Sequence, residues 1–313
     1  MPDWKILIAD GLEANGQALL RAAAQVDDRR GIGADELLQV IADYDALIVR
    51  SRTRISGAVL SATSRLKVIG RAGVGVDNID LAAAQVRGVT VINTPTATSL
   101  AVAELALGLI LALARAIPRA DAAAKNGQWL KKELLGVEIS GKTLGVIGMG
   151  NIGAALARGA AALGMQVLGY DAFMPAEEIS RREARPASLA ELYARSDFIS
   201  LHVPLTPETR HLIDAAALDQ MKAGVRLVCT ARGGIIDEAA VLQALLSGKV
   251  AGAALDVFDQ EPPGQSPLVL HPNVIVTPHI GAQTVEAQTR AAEDLAHEVI
   301  AALHGQPLRW KVI

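Results

Sequence analysis

Three side chains of this sequence have the types that oxidation of an alcohol beside a carboxylate would need. His279, in TPHIGAQT, can titrate near neutral pH and so exchange a proton. Glu261, in DVFDQEP, could stand beside it, since a nearby carboxylate favours the charged imidazole and orients the ring. Arg232, in TARGGIIDE, offers a fixed fork of donors that grips a carboxylate. Hydride transfer from a hydroxy acid needs a base for the hydroxyl proton, a cation to hold the acid and polarise its oxygen, and a partner for the base. Taken singly, each residue has an ordinary explanation: a structural histidine, a surface arginine, an acid in the loop before Pro262 and Pro263. What groups them is that each ends or follows a Val/Ile/Leu-rich run. In a doubly wound sheet, strand C-terminal ends face the ligand crevice.

A second pattern would supply the redox partner. Gly148-Met149-Gly150-Asn151-Ile152-Gly153 fits GxGxxG. It directly follows the strand-like LGVIG and directly precedes the helix-like AALARGAAALG, which is the context the pattern requires. The first glycine allows the tight turn, the second lets the backbone approach a pyrophosphate, and the third lets helix and strand pack closely. The helix amides then face phosphate charge. Asp171 closes the next strand pattern, where a carboxylate accepts both ribose hydroxyls and repels the extra phosphate of NADP, so NAD is the expected cofactor. The alternative is an ordinary glycine-rich turn with Asp171 capping a loop.

Short apolar runs alternate with Ala-rich helical stretches along nearly all 313 residues, which predicts βαβ units and parallel sheets. Strands are expected at 5–10, 46–51, 67–73, 89–95, 142–148, 166–171, 197–203, 226–231, 251–257 and 274–279. Helices are expected at 35–42, 80–87, 99–116 (stopped by Pro118) and 283–303. The helix at 99–116 is apolar on most faces, so it is expected to be buried between domains or subunits. The length predicts two domains. The first appears as residues 1–96, rejoined by 284–313, with 97–283 inserted between.

Composition narrows the function class. Apolar residues make up 51% of the chain and aromatics 3%, so aliphatic side chains must fill the cores. A net charge of −3 gives no electrostatic case for nucleic acid or an anionic membrane. The single cysteine, Cys229, excludes an internal disulfide. No signal peptide or run of about 18 apolar residues is present. A soluble, cytoplasmic protein acting on a small molecule, with no metal, is the expectation.

The segments VRSRT (49–53), RAGVGVDNID (71–80), NTPTATSLAVAELALGLILALAR (93–115), GKTLGVIGMGNIG (141–153), HVPLTPETRHLI (202–213), ARGGIIDE (231–238), ALDVFDQEP (254–262) and TPHIGAQTVEAQ (277–288) resemble the D-isomer-specific 2-hydroxyacid dehydrogenases. The resemblance covers nearly the whole chain, and RAGVGVDN is similar to the phosphoglycerate-type members. It implies an α/β fold of two doubly wound parallel-sheet domains, with a Rossmann NAD-binding domain inserted into a flavodoxin-like substrate domain. It also implies an oxidoreductase interconverting a D-2-hydroxy acid and its keto acid, with domains that close on the substrate.

Roles follow from the resemblance. His279 would be the general acid/base, Glu261 its partner and Arg232 the substrate cation. The Val74–Gly75 backbone would receive the substrate carboxylate, with Val74 also beside the cofactor. Asn151 and Ile152 would meet the pyrophosphate, Val203, Pro204, Thr230, Ala231 and Gly281 would line the cofactor, and Asp256 would hold the nicotinamide carboxamide. Arg50, Ser51 and Arg71 could read the far end of the substrate, a phosphate included, or the two arginines could form inter-domain salt bridges instead. A homodimer is implied as well.

The chain also departs from the family pattern. Cys229 stands where Asn is usual, and Thr98 stands where an Asn commonly touches substrate. No regulatory extension follows Ile313, so feedback through such a domain is not expected. The rival within the class is a glyoxylate/hydroxypyruvate reductase. Outside it stands an NADH-sensing corepressor-like binding protein, and a formate or phosphite dehydrogenase is a third possibility without a positive cue.

Overall fold

The computed structural model describes residues 4–313. The chain forms two compact units: the described residues up to Thr98 together with Ala282–Ile313, and Ser99–Gly281.

Unit 1 opens with β1 (Lys5–Ile8), α1 (Ala14–Ala23), β2 (Gln25–Asp28), α2 (Ala34–Val40), β3 (Ala46–Val49), α3 (Gly57–Ser61), β4 (Val68–Arg71), α4 (Leu81–Val86) and β5 (Thr90–Asn93). Its five strands are all parallel, in the order β2-β1-β3-β4-β5, which is the flavodoxin-like winding. The central runs ALIV and VIGR are buried on both faces, as parallel strands between helix layers must be. β2, with the sequence QVDD, was not expected; it is a polar edge strand whose residues are mostly exposed.

Unit 2 contains α5 (Ser99–Arg115), α6 (Ile117–Lys125), β6 (Thr143–Ile147), α7 (Asn151–Ala162), β7 (Gln166–Tyr170), α8 (Ala176–Arg181), β8 (Arg185–Pro186), α9 (Leu189–Arg195), β9 (Phe198–Leu201), α10 (Ala215–Gln220), β10 (Val225–Cys229), α11 (Glu238–Leu246), β11 (Val250–Leu255) and β12 (Val274–Val276). The seven strands run parallel in the order β12-β11-β10-β9-β6-β7-β8, the Rossmann winding. One face packs on α5 and α7 through Ala106, Ile110, Leu156, Ala157 and Phe198. The other packs on α9, α10 and α11 through Leu192, Leu218 and Val241. Pro118 does not simply stop the long helix. The break falls at Ala116, which adopts φ 48°, and the proline sits in the first turn of α6, where its missing N–H costs nothing.

The chain returns to unit 1 as α12 (Val285–Leu303), capped by the Thr284 hydroxyl, which accepts from the Ala287 N–H at 3.1 Å. α12 lies on the sheet beside α1. A Cβ on Gly16 would come within 2.5 Å of the Ala292 carbonyl, so only glycine lets the two helices approach this closely. The last residues then pair antiparallel to β5, with Ile92 opposite Lys311 and Val312 N donating to Val91 O at 2.8 Å. Buried Glu298 secures that segment through the Arg309 guanidinium and the Arg309 N–H, both at 2.9 Å. Among the described residues, no single helix is long and apolar enough to cross a membrane.

Candidate active site

The C-terminal ends of β10, β11 and β12 are neighbours in the sheet of unit 2. Arg232 follows the first, Glu261 the second and His279 the third. The structure joins two of them directly: His279 Nδ1 lies 2.8 Å from Glu261 Oε2. Both side chains keep about two-fifths of their surface exposed, at 41% and 39%. With Nδ1 taken by the carboxylate, Nε2 is the ring nitrogen left to meet a reacting group.

The turn that carries His279 is built around Asp256. This carboxylate is 1% exposed, and its oxygens accept from the Thr277 hydroxyl at 2.6 Å, the Ile280 N–H at 2.8 Å and the Gly281 N–H at 2.9 Å. His279 itself adopts φ 52°, and its N–H donates to Asp256 O and Thr277 O, both at 3.0 Å. A left-handed conformation at a non-glycine residue persists only where the surroundings hold it, and here Asp256 does so. The expected cofactor contact Asp256 is therefore first of all the anchor of the histidine turn. Gly281, expected to line the cofactor, is buried with its N–H on that same carboxylate.

Arg232 lies on the turn after β10, with Nη1 donating to the Ala231 carbonyl at 2.6 Å. Cys229, at 2% exposure, donates its thiol weakly to Arg232 O at 3.7 Å, and burial pushes the thiol up to about 11. A Cβ on Gly233 would overlap the Phe258 carbonyl. The arginine turn thus touches, backbone to backbone, the loop that leads to Glu261.

The glycine turn forms as its spacing requires. Gly148 adopts φ 93°, and a Cβ there would meet His202 O at 2.6 Å; a Cβ on Gly153 would overlap Gly148 O. Gly150 has open space where a Cβ would be, and as the N-cap of α7 it offers no side-chain acceptor to the first amides of the helix. An uncapped helix start above an open backbone cradle fits a pyrophosphate. Asn151 is exposed and Ile152 half-buried at that start. Asp171 arches over the turn, accepting from Met149 N at 2.9 Å and Phe173 N at 3.0 Å. Val203 and Ala231 are half-buried and Pro204 exposed just beyond β9 and β10, whereas Thr230 is buried with its hydroxyl unpartnered.

In unit 1 the expected substrate residues also gather at strand ends. Arg50 follows β3 and lies 3.6 Å from Glu13, Ser51 is exposed, and Arg71 ends β4 with Nη1 on Ala72 O at 3.1 Å. Val74 is exposed, with its carbonyl accepting from Asn93 at 2.6 Å, and Gly75 is half-buried. The Arg50–Glu13 pair lies within unit 1, so it is not the inter-domain bridge weighed as the alternative.

Residues 107–281 match the NAD-binding domain of the D-isomer specific 2-hydroxyacid dehydrogenases. The chain belongs to that family. It is 47% identical over 303 residues to a D-3-phosphoglycerate dehydrogenase of Methanocaldococcus jannaschii, covering 96% of this chain and 58% of that one. It is 44% identical over 308 residues to one of Synechocystis sp., covering 98% and 56%. The chain thus spans a little over half the length of these relatives. A glyoxylate reductase structure from Paecilomyes thermophila superposes with a TM-score of 0.91 at 33% identity, covering 100% of this chain and 99% of that one. Unit 2 accordingly contains the family's NAD-binding domain, and the glycine turn and Asp171 belong to it.

Sequence reasoning passed over two residues at this end of the sheet. His202 ends the β9 run; Ser200 Oγ lies 2.8 Å from its Nε2, while its Nδ1 is sealed from solvent without a partner. The residue as a whole keeps some surface, but burial of the ring lowers its pKa to about 4, so it is neutral at pH 7. Its position two residues after Ser200, on the same strand face, was the available signal. The other is Glu238, whose carboxylate reaches from α11 to Asp259 N at 2.9 Å.

Proposed function

We propose that the protein oxidises and reduces D-2-hydroxy acids and 2-keto acids with NAD, and that 3-phosphoglycerate is its substrate. The observation that carries the catalytic reading is the 2.8 Å contact of His279 Nδ1 with Glu261. Bound nicotinamide supplies the acceptor, or in reverse the donor, of a hydride at the substrate's alpha carbon. His279 Nε2 takes the hydroxyl proton as the alcohol is oxidised and returns it in the reverse direction. Glu261 holds the ring and favours its charged form while it carries that proton. Arg232 grips the substrate carboxylate and polarises the oxygen under attack.

Gly148, Gly150, Gly153, Asn151 and Ile152 hold the pyrophosphate, and Asp171 takes the ribose. Val203, Pro204, Thr230 and Ala231 line the rest of the cofactor. A carboxylate has about four acceptor sites, and the turn uses three on Asp256, leaving one for a carboxamide N–H.

Two observations favour the phosphorylated substrate: the relatives named for it at 44% and 47% identity, and Arg50 and Arg71 at adjacent strand ends. The glyoxylate reductase likeness supports a second reading, in which small unphosphorylated keto acids are reduced. NADH oxidation measured on 3-phosphohydroxypyruvate, hydroxypyruvate, glyoxylate and pyruvate separates the two. We expect the phosphorylated acid to win, and Arg50→Ala or Arg71→Ala to raise its KM about tenfold or more while leaving hydroxypyruvate little changed. Equal kcat/KM across the panel would overturn the substrate assignment.

We further propose a homodimer built on unit 2, at work in the cytoplasm, where nicotinamide nucleotides are plentiful. A recess of about 480 Å³ lies at the edge of the sheet opposite the catalytic strand ends, bordered by Leu113, Pro118, Leu134 and Leu135. Ile117 (51%), Trp129 (84%) and Leu135 (94%) are exposed in this region, an apolar surface suited to a second copy. Sedimentation of the wild type and of Trp129→Glu tests it: a monomeric wild type would refute it.

A further inference from the structure

Glu238 is the first residue of α11, yet it does not cap that helix. Asp237 already does so, its Oδ1 accepting from Ala239 N and Ala240 N at 3.0 Å each. The Glu238 carboxylate instead reaches across to the loop after β11, where its Oε1 accepts the Asp259 N–H at 2.9 Å. That loop has no regular secondary structure, and it carries Glu261. Within residues 258–261, Phe258 N donates to Glu261 itself at 3.3 Å, whereas Asp259 N donates to a group outside the loop. The same stretch is braced from the other side, where Gly233 leaves no room for a Cβ against the Phe258 carbonyl.

We propose that Glu238 is a positioning residue for the reaction. By holding Asp259 it fixes the loop that sets the Glu261 carboxylate against His279, and so tunes the proton affinity of the imidazole. The inference rests on the reading of Glu261 and His279 as the acid/base pair. A carboxylate held close keeps the imidazolium favoured; one free to swing away does so less. Loosening the loop therefore disfavours the protonated ring, and the high-pH limb of keto-acid reduction, which needs that form, moves to lower pH.

The test compares E238Q, E238M and E261Q in kcat and KM against pH for keto-acid reduction, with NADH affinity and Tm alongside. Gln keeps an oxygen that can accept the Asp259 N–H, whereas Met keeps the bulk without it. We expect E238Q to stay within about threefold of wild type. E238M should lose roughly tenfold in kcat with NADH affinity unchanged, and its high-pH limb should shift in the same direction as that of E261Q. If E261Q shifts the limb and E238M does not, or if E238Q loses as much as E238M, the role of Glu238 is refuted while the pair stands. If E261Q leaves the limb in place, the pair itself is refuted. Should E238M fail to fold, E238A takes its place. Failure of both to fold would assign Glu238 to the fold rather than to the site, and would also overturn the proposal.

Discussion

At the scale of single residues, the site depends on one imidazole nitrogen left unengaged. Glu261 occupies Nδ1 of His279 and, in the reaction proposed, leaves Nε2 for the substrate. His279→Ala should therefore lower kcat roughly 10²–10⁴-fold, the usual contribution of a positioned general acid or base. NADH binding, followed by fluorescence, should be nearly unchanged, because the cofactor turn lies at β6 and α7. Retained turnover would remove His279 from the chemistry. His279, Glu261 and Arg232 were legible in the sequence because their types match a reaction and each follows an apolar run. Asp256 was legible only in part. Its position after β11 marked it for the site, but its grip on residues 277, 280 and 281 depends on a neighbouring strand end that no local pattern encodes. His202 was missed for the same reason, since the burial that holds it neutral comes from packing across strands.

At the scale of elements, the cofactor turn works by close approach. Gly153 packs its Cα against the Gly148 carbonyl with no space for a methyl group. Gly153→Ala should push α7 off β6, at a cost of about 1–3 kcal/mol, and should weaken NADH binding by an order of magnitude or more. Calorimetric titration with NADH measures this, and undiminished affinity would show that the helix start does not hold phosphate. Most strands were readable because Val, Ile and Leu cluster in buried parallel strands. β2 and the two-residue β8 were not, since QVDD and RP carry polar or proline residues acceptable only at a sheet edge. Nor did the proline at 118 announce that a helix would resume. The same residue ends one helix or begins another, depending on whether its predecessor's neighbour can turn left-handed, as Ala116 does.

At the scale of the whole molecule, stability should depend on the buried imidazole. His202 is held neutral in the native state, with its pKa lowered to about 4, whereas in the unfolded chain it titrates near the ordinary 6.5. Between those values the unfolded chain binds a proton that the native ring refuses, so stability is lost as pH falls through 6.5 toward 4. The share of this one residue is about 2 kcal/mol by pH 5. Thermal unfolding of wild type and His202→Asn between pH 7.5 and 4.5 checks it: the gap between the two should narrow or reverse as the solution becomes more acid. A constant gap would mean that the ring titrates normally in the native protein.

The return of α12 to the first sheet has a consequence in time. Translation delivers Ser99–Gly281 as an unbroken stretch, while the layer beneath β4 is missing its α12 side chains Leu295 and Val299 until that later helix is made. The inserted unit can therefore mature on the ribosome while the segment made before it waits, half-built, for the helix made after the insertion. Nascent chains arrested shortly after residue 281 has cleared the exit tunnel should already retain NADH. Protease should still cut their first 98 residues freely, and protection of that stretch at the same stage would contradict this order of assembly.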